Sequence, residues 1–226
     1  MYNEITANKR KTWFLMSLFT VVGVSLGWVF GEWAGDASFG ITAAVLLSTI
    51  MTLVGYFQGD QVSLMAAGAK PIEKRDSPEL YRLVENLTIA AGMPVPKIYL
   101  INDPSANAFA TGRDPEHASI AVTTGLLQIM DKLELEGVLA HELSHIKNYD
   151  IRVMTIVVVL VGVILLLSDW LLRSMFTSRD SDSDAKSTGV LMIIGIVLAI
   201  LSPLFAELIK LAVSRSREYL ADASGA

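Results

Sequence analysis

Two histidines four residues apart, with a glutamate beside the first, carry the most specific chemistry in this chain: His141-Glu142-Leu143-Ser144-His145. On a helix, residues i and i+4 share a face, so both imidazoles can reach one ion. Glu142 is adjacent in angle to His141 and can reach a water at that ion without being a ligand. Two histidine ligands with a glutamate as general base is the arrangement of zinc hydrolases. A catalytic zinc takes three protein ligands plus water, so one ligand is missing. His117, the remaining one of three histidines, is a poor candidate because it opens a strand after Asp114-Pro115. A carboxylate fits better. Glu218 and Asp222 are four apart and share a helical face; Glu218 could ligate while Asp222 accepts a hydrogen bond from the far nitrogen of a ligand histidine. Taken alone, such a pair is more often a solvated face. Asn148, three residues past His145, could face the site from behind the ligands. Asp150 lies about 140° around from His145 on a continuous helix, so it reaches the site only if the helix breaks.

The elements that must position these groups are legible around them. Asp131 with Glu134 forms a capping box that opens the histidine helix, which also carries Leu139, Leu143 and Ile146. Ser77-Pro78-Glu79 starts a helix whose apolar residues recur at helical spacing until Gly92 and Pro94 stop it. Residues 97–101 and 117–123 read as strands. Residues 107–111, between Pro104 and Gly112, read as a short edge strand; Asn107, Ala108 and Phe109 are then candidates to hold an extended peptide by strand addition.

Flanking this small α+β stretch are four uncharged apolar runs, residues 12–31, 37–59, 153–168 (to 172 if Asp169 is tolerated) and 187–206. A bilayer core needs about 20 apolar helical residues, so three runs fit and the third is short but feasible. Overall the chain has 226 residues, 52% of them hydrophobic and only 18% charged, with mean hydropathy +0.48. That is too apolar to sit wholly in water. Net charge is −5, which argues against a nucleic-acid partner, and the absence of cysteine excludes disulfide and thiol chemistry. Lys9, Arg10 and Lys11 before the first run, and Lys70, Lys74 and Arg75 after the second, place both ends of the first hairpin in the cytoplasm. The reading is a mainly α, multi-pass cell-membrane protein with about four transmembrane helices. Its segments are a hairpin over 1–57, a cytoplasmic α+β domain over 58–150, a second hairpin over 151–206 and a helix over 207–226. Glu207, at the end of the last run near Lys210, reads as a lipid–water boundary.

His141-Glu142-Leu143-Ser144-His145 with Asn148, followed by Glu218-Tyr219-Leu220-Ala221-Asp222 after a hydrophobic hairpin, resembles the HtpX family of membrane zinc metalloproteases, relatives of the CAAX prenyl proteases. Asn107-Ala108-Phe109-Ala110-Thr111-Gly112 and Ala121-Val122-Thr123-Thr124-Gly125-Leu126-Leu127 match its pattern too. The resemblance implies a zincin-like catalytic domain in which His141, His145 and Glu218 bind Zn2+, Glu142 is the base, and Asp222 stands behind a ligand. It implies protein substrates, with quality control of misfolded or damaged membrane proteins as the role. Members of that family continue past the last motif while this sequence ends at Ala226, so the expectation is a chain short of a C-terminal segment and of any oxyanion-stabilising residue it carries. The competing expectation is a membrane-anchored binding module with structural zinc or none.

Overall fold

Apolar length sets the two longest elements at the N-terminus. In a computed structural model that describes residues 2–177 together with Gly195, helix α1 spans Tyr2–Ala34 and α2 spans Ala37–Ala66. Both overrun the apolar segments that predict them. Two spans, Ile5–Trp28 and Ala37–Ala66, are long and apolar enough to cross a membrane. Their outward faces carry Trp13, Phe14, Leu46 and Ile50, each more than half exposed, a surface suited to hydrocarbon rather than water. At the turn, Asp36 caps α2 by accepting the Phe39 N–H at 3.0 Å. The fourth apolar run apart from Gly195, and Glu207, Glu218 and Asp222, lie outside the described residues.

Small residues let the two helices touch. A Cβ on Gly27 would stand 2.7 Å from the Gly40 carbonyl oxygen, and one on Gly40 would stand 2.6 Å from the Gly31 Cα. Such backbone-to-backbone approach is how membrane helices associate without a hydrophobic drive. Gly40→Val should therefore separate α1 from α2 and lower the thermal unfolding midpoint in detergent, an overpacking cost of about 1–3 kcal/mol. Gly137→Ala is the control, because a Cβ there meets nothing within 4 Å; it should leave the midpoint unchanged or raise it.

Between α2 and the histidine helix runs the α+β domain. It comprises β1 (Lys70–Pro71), α3 (Pro78–Ala91), β2 (Lys97–Ile101), β3 (Ala108–Gly112), β4 (Ala118–Thr123), α4 (Thr124–Ile129) and α5 (Lys132–Lys147). The strand order is β1-β2-β4-β3, with β2 and β4 parallel and the outer pairs antiparallel. The edge position expected for residues 107–111 is therefore observed, one residue later. Two expectations are corrected. His117 does not open a strand: it ends a one-turn 3-10 helix, Pro115–His117, that Asp114 caps, and β4 begins at Ala118. Ser77 precedes α3, but its side chain makes no capping bond; Pro78 at the first helical position supplies the start instead. Gly92 ends α3 in the left-handed region as expected, φ 65°. Strand β1 and helix α4 are too short to show periodicity, and the sequence reading omits both. The core lies between sheet and helices: Leu80, Leu83 and Val84 of α3 and Leu139, Leu143 and Ile146 of α5 pack over Ile98, Ile120 and Val122.

Helix α6 (Asp150–Thr177) leaves this domain and joins the hairpin. Its Ile156 and Leu160 pack on Met16 of α1. Gly55 and Gly59 of α2 let Val159 and Thr155 approach closely. At the same end, Leu64 of α2 packs against Ile101 and Ala121 of the sheet. Helices α2 and α6 thus contact the sheet directly, rather than through a linker, and α1 packs on both.

Candidate metal centre on helix α5

Asp131 opens α5 as expected, with both halves of the capping box formed. The helix buries Leu135, Leu139, Leu143 and Ile146 against the core, which fixes its rotation. Nε2 of His141 and Nε2 of His145 then stand 3.2 Å apart, the two rings nearly perpendicular at 85°. Two nitrogens each about 2.05 Å from a tetrahedral zinc stand about 3.3 Å apart. The pair already has the spacing of two ligands.

The far side of His145 is held by Asp150. Its Oδ2 lies 3.1 Å from Nδ1 of His145, both side chains buried. A carboxylate accepts, so Nδ1 carries the proton and the Nε2 lone pair faces His141. Such an arrangement needs the break that the spacing argument demands. Asn148 caps α5, Tyr149 takes φ 60°, and α6 restarts at Asp150. A non-glycine residue in that region costs about 1 kcal/mol or more. The Tyr149 ring is held between Lys9 Nζ, 4.8 Å from its centroid, and Arg152 Cζ, 5.1 Å away. Asn148 is buried, and neither of its side-chain polar atoms has a partner among the described residues. Its backbone carbonyl accepts a hydrogen bond from Asn8 at 3.0 Å.

Glu142 is fixed by the edge strand. The Ala110 N–H donates to Glu142 Oε2 at 3.0 Å. Register explains why this N–H is available. Asn107 pairs with Thr123, whose N–H donates to the Asn107 carbonyl; in an antiparallel pair the alternate residues Ala108, Ala110 and Gly112 then point their backbone groups outward. Gly112 N–H donates to Thr155 Oγ1 of α6 at 3.1 Å, so the outer edge near Ala108 is the part furthest from α6. The loop before this strand is tied to the motif that begins at Ala121. Thr123 Oγ1 donates toward the Ser105 and Asn107 carbonyls, and the Asp103 carbonyl accepts from both Thr124 Oγ1 and the Gly125 N–H. At Gly125 a Cβ would run into the Pro104 carbonyl, which explains the glycine. Ser105's hydroxyl and N–H, both donating to Asp103, hold that carboxyl below its ordinary range.

His141, Glu142 and His145 are therefore brought together, with Ala110 of β3 against Glu142; Ala108 packs on the α5 side of the sheet, whereas Phe109 packs with Leu64, Ile101 and Ala121. His117 is elsewhere: half exposed, with Nδ1 2.7 Å from Asp114 Oδ1. Among the described residues no group of three His, Cys, Asp or Glu side chains is placed to hold one metal ion, and the expected third ligand, Glu218, lies outside them. Sequence reasoning missed two participants, Ala110 and Asn8. Alternation from Asn107 identifies the first; no local signal identifies the second.

Residues 74–226 match Peptidase family M48. A "Protease HtpX homolog" of Dictyoglomus thermophilum is 44% identical over 225 residues, covering 100% of this chain and 74% of that protein. One from Lactobacillus helveticus is 46% identical over 237 residues, covering 99% and 78%. A crystal structure of S. mikatae Ste24p is similar at 20% identity and TM-score 0.49, over 100% of this chain and 56% of that one. With that family spanning the helix of His141 and Glu142, and such relatives along its whole length, the chain belongs to peptidase family M48 and to the HtpX proteases within it.

Proposed function

We propose that this protein is a zinc-dependent membrane endopeptidase whose site faces the cytoplasm. The observation that carries the reading is the 3.2 Å separation of the two Nε2 atoms beside a glutamate anchored to the edge strand β3. His141 and His145 hold the metal, Glu218 completes the set, and Asp222 accepts from a ligand histidine. Asp150 already takes Nδ1 of His145. Zinc, when bound, supplies Lewis acidity and lowers the pKa of water toward about 7. An extended substrate adds to the outer edge of β3 near Asn107, Ala108 and Phe109 through main-chain hydrogen bonds, with little side-chain selectivity. The Ala110 N–H keeps the Glu142 carboxylate turned toward the reacting atoms. Glu142 takes a proton from water and delivers it to the leaving amine. Unfolded segments of misfolded or damaged membrane proteins fit such undemanding recognition, and the hairpin α1–α2 keeps the site at the bilayer where they occur.

Metal analysis of the purified chain, combined with hydrolysis of an unfolded protein, tests this reading. One bound zinc with hydrolysis supports it; one bound zinc without hydrolysis favours a binding module. Orientation is tested separately. A reporter fused after Lys74 should behave as cytoplasmic, because Lys9, Arg10, Lys11, Lys70, Lys74 and Arg75 flank the first hairpin on one side. A translocated reporter at that point would overturn the orientation.

A further inference from the structure

The N-terminal helix is more than an anchor. Asn8 of α1 is 1% exposed, and so is Thr12 one turn on, although both are polar and stand at the start of a helix whose apolar face needs neither. Asn8 Nδ2 donates to the Asn148 carbonyl at 3.0 Å and to Asp150 Oδ1 at 2.7 Å. Both acceptors lack hydrogens, so the amide orientation is dictated by chemistry: flipped, its oxygen would face two oxygens. In the observed orientation Asn8 Oδ1 has no partner among the described residues. A buried unpaired carbonyl costs stability, so packing alone does not account for an asparagine here.

The two acceptors flank Tyr149, the residue at φ 60°. Asn8 thus bridges the α5–α6 break from outside, while Lys9 sits over the Tyr149 ring. Of the Asp150 carboxylate, Oδ1 meets Asn8 and Oδ2 meets His145. We propose that Asn8 is a positioning residue for the metal site: it fixes the Asp150 carboxylate, and through it the ring of His145, from the N-terminal membrane helix. This inference rests on the zinc reading above and adds a residue to it that lies 140 positions from the break it bridges.

A double-mutant cycle on the full chain in detergent tests it, with zinc affinity read by chelator competition and the absorption bands of the cobalt-substituted protein as a second readout. Outer partners of metal-ligating histidines typically contribute about 10–100-fold to affinity; one step further out, Asn8→Ala should weaken zinc about tenfold and shift the cobalt bands. On an Asp150→Ala background the same change should cost less than about twofold, because the carboxylate through which Asn8 acts is gone. Should Asn8→Ala not fold, Asn8→Leu, which keeps the volume and removes the donor, is read the same way. Wild type that binds zinc while the Asn8 variants match it, or an Asn8 effect of equal size with and without Asp150, overturns the proposal alone. Wild type that binds no zinc overturns the zinc reading and this inference together.

Discussion

Glu142→Gln should keep its zinc and lose about 10²–10⁴-fold in turnover, the usual contribution of a positioned general base. The substitution is nearly isosteric. Its amide oxygen can still accept the Ala110 N–H that holds Glu142 Oε2 at 3.0 Å, so the helix and the strand edge keep their geometry. What disappears is the capacity to take a proton. Substrate binding along β3 does not depend on that proton, so the loss should fall on kcat with KM little changed. The comparison is made on an unfolded protein at equal zinc content. Turnover within tenfold of wild type would reject Glu142 as the base, whereas a matched fall in zinc content would mean that the residue ligates instead.

Zinc content should fall in a graded way across the residues behind and around the ion. His145→Ala removes a ligand and should leave no stoichiometric zinc after gel filtration. Glu218→Ala should do the same if the distal carboxylate completes the set. Asp150→Ala keeps every ligand but frees Nδ1 of His145, now 3.1 Å from the carboxylate; zinc affinity should drop about 10–100-fold, recoverable at high zinc. His117→Ala should change nothing, since that ring pairs with Asp114 at the surface. Loss of zinc in His117→Ala, with retention in Glu218→Ala, would reverse the ligand assignment. Full-affinity binding in Asp150→Ala would make the His145–Asp150 contact incidental.

The sequence by itself determined whatever follows from periodicity and local chemistry. Residues four apart on a helix share a face, so His141 and His145 had to converge once Asp131 and Glu134 capped that helix and Leu139, Leu143 and Ile146 gave it a side to bury. Pro104 and Gly112 likewise bracketed residues 107–111 as a short strand, and apolar length marked α1 and α2. The break after Lys147 was not legible. Tyrosine carries no signal for φ 60°, and the periodicity that places His145 puts Asp150 on the wrong side of a continuous helix. The packing of α6 against α1 and α2, with Lys9 and Arg152 over the Tyr149 ring and Asn8 bonded on either side of it, holds that conformation. Asn8 was further out of reach, because its partners lie across the fold and a lone polar residue beside Lys9 reads as solvated. A hydrogen bond between residues distant in the chain has no period. Tertiary structure decided which carboxylate stands behind His145, because that choice depends on where three helices meet rather than on the order of the residues within any one of them.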